Sequence, residues 1–277
     1  MTTRPHHLVV VVLDSLRYDA WTAAAPRELG RLGAVQRRWS YASWTAPSHA
    51  NLLMGLLPHD NPSGVLASTH YQQDFRRYEE RLGLPGIDFA AMLPELWLPS
   101  FLQGRGYRTA AMVSMPVLNP ATALNRGFAS YRLMDRHNDM SAMLPELVFD
   151  DEAPSFYLLN VGETHYPYAH PGEDTSGLPH VSGLHGALKH MPDGMPRSEG
   201  LGFTAADLRD LRDRQIAVLD HVDRLFARLY DLVPDNTWVI VTADHGELFG
   251  EDGFFGHGPI VHQKVFEVPF VEGLVPR

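Results

Sequence analysis

Apolar residues along the chain gather in four short, continuous runs. These are Leu8 to Asp14 (LVVVVLD), Thr109 to Ser114 (TAAMVS), Phe156 to Val161 (FYLLNV) and Thr237 to Thr242 (TWVIVT). A run that is apolar at nearly every position, rather than at every second one, is how a strand covered on both faces reads. The intervening segments carry the helical period. Pro47 to Leu57 opens with proline and continues with Ala, Leu and Met. Leu98 to Gly104 has Pro99 in its first turn and stops at glycine. Thr204 to Val233 is the longest helical segment. There Leu208, Leu211, Ile216, Leu219, Val222, Leu225 and Leu229 recur mostly three and four apart, opposite a face of Asp and Arg. Thr204 with Asp207 gives it a capping-box start.

Strands alternating with helices predict a three-layer α/β/α sandwich with a mostly parallel central sheet, in a single domain over residues 1–277. Two stretches resist assignment: residues 60–86 are polar and turn-rich, and residues 164–203 hold five histidines among many Gly and Pro. Long loops in a compact domain are usually functional, so both are expected to be substrate loops. His170, His180, His185 and His190 are then loop residues rather than ligands, and His6 and His7 are expected in solvent. The terminal Leu274 to Arg277 spells a protease recognition sequence and enters no part of this fold argument.

Composition narrows the partners. The 33 acidic against 23 basic residues leave a formal charge of -10, which argues against a nucleic-acid backbone or an anionic membrane as partner. No cysteine occurs, which excludes disulfides, thiolate zinc sites, Fe–S clusters and cysteine nucleophiles together. The apolar run Leu8 to Leu13 is too short for a signal segment or a membrane span, so a cytoplasmic location is expected.

In open α/β sheets chemistry gathers at the carboxyl ends of strands. Asp14 follows the first run, Glu163-Thr164-His165 follows FYLLNV, and Asp244-His245-Gly246-Glu247 follows TWVIVT. A single strand-end Asp can serve as a helix cap or turn residue. Three strand ends that deliver carboxylates and imidazoles to one rim offer the oxygen and nitrogen donors that zinc or manganese accepts. The segment Ser43 to His49 (SWTAPSH) precedes a helix and sets the Thr45 hydroxyl beside free N–H groups and the positive end of the helix dipole. Thr45 reads either as a cap or as a nucleophile. Ser48, one residue past Pro47, should already lie inside the helix.

These segments resemble the alkaline phosphatase superfamily, in its sulfatase-like, phosphodiesterase and phosphoglycol-transferase branches. The resemblance rests on VVVVLDSLRYD, WTAPSHANLLMGLLP, LPSFLQGRGYRTAAMVS with LNRGFASY, LLNVGETHYPY, NTWVIVTADHGELFGEDGFFGHG and the late VPF, all in the family's order. It implies a metal held by Asp14, Thr45, Asp244 and His245, with Thr45 as both ligand and nucleophile. Zinc is the expected ion, with manganese as the alternative. His165 and His257 would act on substrate oxygens and the leaving group, or hold a weaker second ion with Glu163. His49 and Arg17 match substrate-contact positions, although Arg17 could instead pair with a nearby carboxylate.

The departures are informative. Sulfatases of this family convert a cysteine or serine to formylglycine and carry an arginine two residues after the motif's proline; here those positions hold Thr45 and His49. Threonine cannot become formylglycine. The resemblance therefore implies a hydrolase of small phosphate or phosphonate esters, working through a phospho-threonine. A transferase to an alcohol and a biosynthetic tailoring enzyme are the alternatives, and a non-catalytic binding relative is a lesser one.

Overall fold

The structure is a computed structural model and describes residues 4–60, 64–178 and 203–277. Its strands are β1 (His7–Leu13), β2 (Gln36–Trp39), β3 (Arg108–Val113), β4 (Ser130–Leu133), β5 (Ser155–Val161), β6 (Thr237–Thr242), β7 (Leu248–Phe249), β8 (Phe255–Gly256) and β9 (Glu267–Leu274). Seven of them form the main sheet in the order β2-β9-β6-β1-β5-β3-β4, and β7 with β8 makes a small hairpin. From β6 to β4 every pairing is parallel, with β1 between β5 and β6; β9 runs antiparallel to both its neighbours. The expected three-layer, mostly parallel sandwich is what forms.

Why β1 is apolar throughout is visible in its two faces. Val9, Val11 and Leu13 pack with Leu219, Val222 and Phe226 of the long helix, Ala205–Leu232. Leu8, Val10 and Val12 face the other layer, with Leu52 and Leu53 from the helix Thr45–Leu53 and Leu98 and Leu102 from the helix Leu98–Gln103. Burial on both sides removes any reason for polar alternation. The long helix starts with the full capping box: the Asp207 N–H donates to Thr204 Oγ1, and the Thr204 N–H donates to Asp207 Oδ2.

Several expectations are corrected. Residues 60–86 are not simply a loop: helices Ala67–Arg76 and Tyr78–Leu82 lie there, with Phe75, Tyr78 and Leu82 in the core. Their few apolar residues were masked by charged neighbours. His7 is not solvated; it opens β1, is 1% exposed, and accepts the Ser155 N–H at Nδ1. His6 stacks on Trp238. The terminal segment belongs to the fold, since Leu274 ends β9, Val275 is buried and its N–H donates to Thr237 O. Of the 164–203 stretch, His180, His185 and His190 lie outside the described residues.

Candidate active site

Three strand ends build the site. After β1 the chain turns sharply at Ser15, whose φ of 61° is left-handed although it is not glycine. That turn aims the Ser15 N–H at Asp244 Oδ1 (3.1 Å) and its hydroxyl at Asp14 Oδ1 (3.2 Å). From β5, Asn160 donates Nδ2–H to Asp14 Oδ2 at 2.9 Å, while its Oδ1 accepts the N–H groups of Ser114 and Met115. From β6 come Asp244 and His245. The Gly246 that follows has no room for a side chain, because a Cβ there would run into the Lys264 carbonyl.

Hydrogen bonds settle the tautomers. His245 Nδ1 lies 2.9 Å from Gly246 O, which can only accept, so the ring proton sits on Nδ1 and Nε2 presents its lone pair. That Nε2 is 3.4 Å from Asp244 Oδ2 and 4.0 Å from Asp14 Oδ1. The Thr45 hydroxyl donates to the same nitrogen at 3.3 Å.

Thr45 is the first residue of its helix, which starts two residues before the expected Pro47 and ends at Leu53. The cap position belongs to the extended Trp44, whose side chain makes no capping bond, so the Thr45 hydroxyl is left for the site. Ser48 points elsewhere and donates to Ala42 O. His49, one turn after Thr45 and 1% exposed, donates Nδ1–H to Thr45 O at 2.9 Å. Its Nε2 has no hydrogen-bond partner among the described residues.

The two expected acting histidines converge here. His257 follows β8, donates Nδ1–H to Glu247 Oε1 at 2.8 Å, and its ring lies 4.2 Å from that of His245 and 5.5 Å from that of His165. Glu247 in turn accepts the Tyr168 hydroxyl at 2.7 Å. Sequence reasoning assigned no role to Glu247 or Tyr168. The available signal was an acid inside an otherwise buried stretch, which must find partners. Arg17 does not offer a free fork to a substrate: it engages both carboxylate oxygens of Asp19, Glu251 at 2.5 Å, and Glu247 O. The carboxylate-pairing alternative is the one the geometry supports. His170 stacks on His221 at 4.1 Å and stands near Glu173.

The electrostatics are unbalanced. Burial, then the neighbouring Asp244 carboxylate, pushes Asp14 up to about 6, and burial pushes Asp244 up to about 6. His245 is pushed down to about 3, first by burial and then by His257. Burial also lowers His257, but the Glu247 carboxylate and its hydrogen bond outweigh it and the net direction is up. Among the described residues no lysine or arginine is ion-paired with Asp14 or Asp244, and Asp244 Oδ2 accepts no hydrogen bond. One ligand atom each from Asp14, Asp244 and His245 lies within 4.8 Å of the others, and all three residues are buried. Two carboxylates short of positive charge, an imidazole lone pair and a hydroxyl fit a divalent cation such as zinc. Glu163 is not part of this cluster: its Oε1 accepts the Met140 N–H, its Oε2 has no hydrogen-bond partner among the described residues, and burial pushes it up to about 7. Among the described residues there is no second such grouping of three ligating side chains.

The sequence pattern of the sulfatase family matches residues 6–271. No curated protein matches the sequence. Solved structures share the fold at low identity. The C-terminal periplasmic domain of EcEptC from Escherichia coli, in complex with Zn, aligns with a TM-score of 0.59 at 14% identity, over 99% of this chain and 74% of that one. The corresponding domain of phosphoethanolamine transferase EptC from Campylobacter jejuni gives 0.52 at 15%, over 98% and 79%. Phosphonate monoester hydrolase of Agrobacterium radiobacter gives 0.55 at 15%, over 96% and 68%.

Proposed function

The chain belongs to the sulfatase family, and from that premise we propose that it is a metal-dependent hydrolase of small phosphate or phosphonate esters with Thr45 as nucleophile. One observation carries the reading: a threonine hydroxyl at a helix start lies 3.3 Å from the imidazole of the Asp14, Asp244 and His245 cluster. A chain with no cysteine, and threonine at the nucleophile position, supports phosphorus rather than sulfur esters.

Asp14, Asp244, His245 and the Thr45 oxygen would hold the cation, zinc before manganese. Bound there, it lowers the pKa of a coordinated hydroxyl and offsets negative charge on the ester. The chain's own groups do the rest. Thr45 Oγ attacks phosphorus in line, the bond to Thr45 forming as the bond to the leaving oxygen breaks. The N-terminal dipole of the Thr45–Leu53 helix favours the anionic group placed against it. His257 or His165 donates a proton to the leaving oxygen. His257 suits this role, because Glu247 fixes its Nδ1–H and leaves Nε2 for the reaction. His49 keeps the first turn in place through the Thr45 carbonyl. Water then displaces Thr45 from phosphorus, passing one proton to the histidine that had protonated the leaving oxygen, and the Thr45 oxygen takes back the proton its hydroxyl had released to solvent.

The test is p-nitrophenol release from matched phosphate monoester, phosphate diester, phosphonate monoester and sulfate substrates by zinc-loaded protein. Turnover of a phosphorus ester, lost by ~10³-fold or more in Thr45→Ala, is the expected result; near-normal turnover by the variant would overturn the assignment. Fold likeness to a phosphoethanolamine transferase favours transfer to an alcohol as the second reading, and product analysis with added alcohol separates the two. No helix among the described residues is long and apolar enough to cross a membrane. The similar E. coli and C. jejuni domains are periplasmic; cell fractionation decides between that setting and the cytoplasm for this protein.

A further inference from the structure

We infer that Gln215 is a positioning residue of the metal centre, a side-chain clasp that fixes the loops carrying the ligands; this rests on the metal reading above. Gln215 lies on the long helix, on the stripe otherwise filled by Leu211, Val218, Leu219 and Val222, and is 0% exposed. An amide on an apolar face is unfavourable unless its N–H groups find acceptors. Both do: Nε2 donates to Ser15 O at 2.9 Å and to Thr164 O at 3.0 Å. Its Oε1 has no partner among the described residues, so the two bonds from Nε2 alone fix the amide's orientation. Rotated by half a turn, it would set oxygen against oxygen.

The two carbonyls it holds belong to the loops after β1 and β5, and each loop in turn grips a ligand. Ser15, in its left-handed turn, gives its N–H to Asp244 and its hydroxyl to Asp14. Thr164 gives its hydroxyl to Asp14 O at 2.7 Å and immediately precedes His165. One amide thus sets the spacing of Asp14, Asp244 and His165 without touching a ligand atom. A leucine or methionine would meet the helix's apolar pattern equally well. Only the clasp explains the amide.

The test is metal affinity of the full-length apoprotein, measured by zinc competition against a chromophoric chelator, together with the visible spectrum of the cobalt-substituted protein. Loss of a residue that orients ligands typically weakens metal binding by about 10–100-fold. Gln215→Met is expected to show that loss and an altered cobalt spectrum. Val222→Ala, a core change on the same helix, should lower the melting temperature yet bind zinc like the wild type. Gln215→Asn, one methylene too short to bridge both carbonyls, should weaken zinc in the same direction and carries the comparison if the methionine variant does not fold. Wild-type zinc affinity in the Gln215 variants, or an equal loss in Val222→Ala, would overturn the clasp. If the wild type takes up neither zinc nor cobalt, the metal reading fails first, and the clasp fails with it.

Discussion

Two groups of buried charge sit in this molecule, and they are built to opposite rules. Beside β9, Arg81 is wholly buried and every charge around it is answered. Its guanidinium holds Glu272 through Nε and Nη2 and Asp74 through Nη2. Arg77 adds a second cation to Glu272, and Trp238 donates to the same carboxylate. Glu272 is accordingly held below the usual carboxylate range: burial would raise it, but Arg81 outweighs burial. At the ends of β1 and β6, Asp14 and Asp244 are as deeply buried yet pair with no guanidinium or ammonium among the described residues, and both are pushed up to about 6. The first cluster completes itself and serves the fold. The second lacks a positive charge, and that deficit marks it as a place where something from outside belongs.

Removing one charged group from each cluster should have opposite consequences. The largest effect expected is on turnover: Asp244→Asn should reduce it by on the order of 10⁴-fold, while raising the melting temperature of the metal-free protein by relieving repulsion with Asp14. A lower melting temperature would mean that the acid serves the fold after all. In the other cluster, Arg81→Met should cost about 3–5 kcal/mol in urea unfolding, because it takes the buried cation from Asp74 and leaves Glu272 with Arg77 and Trp238 alone. Adding Glu272→Gln should recover part of that loss. Little change in the single variant would erase the contrast. Glu163 sharpens it further, as a buried acid that accepts the Met140 N–H and has no ion-pair partner among the described residues. Its pKa rises from 4.5 unfolded to about 7 folded, so the stability it contributes is full below pH 4.5 and is lost as pH rises through 7. The loss amounts to ~3 kcal/mol, and Glu163→Gln should flatten that part of the stability profile. A profile unchanged by the substitution would show that the carboxyl already titrates normally.

Much of the fold is legible in the sequence. The strands β1, β3, β5 and β6 are legible because burial on both faces leaves an unbroken apolar run. Strand ends point to Asp14, His165, Asp244 and His245, a helix start to Thr45, and the family resemblance alone to His257; the fold brings them to one rim. The strand β9 was hidden because Pro269 and Gly273 interrupt its pattern, as β2 was by its two arginines. Helix Ala67–Arg76 escaped notice because most of its residues face solvent and few are apolar. Roles that depend on a distant partner leave no local trace. Glu247 needs His257 and Tyr168, Gln215 needs Ser15 and Thr164, and Arg17 could be assigned only once Asp19 and Glu251 were seen around it.

The position of β1 also has a consequence for synthesis. β1 is made before the other strands of this sheet yet lies in its middle, and its partners are β5 and β6, about 150 and 230 residues later in the chain. Pairings so distant in sequence close slowly. Until residue 242 is free, the most apolar segment of the chain has one edge or both without a neighbour, which exposes it to aggregation and to capture by chaperones. The same ordering acts as a safeguard. Thr45 is made early and His245 and His257 some 200 residues later, so a chain broken off between them carries the proposed nucleophile without the groups proposed to arm it.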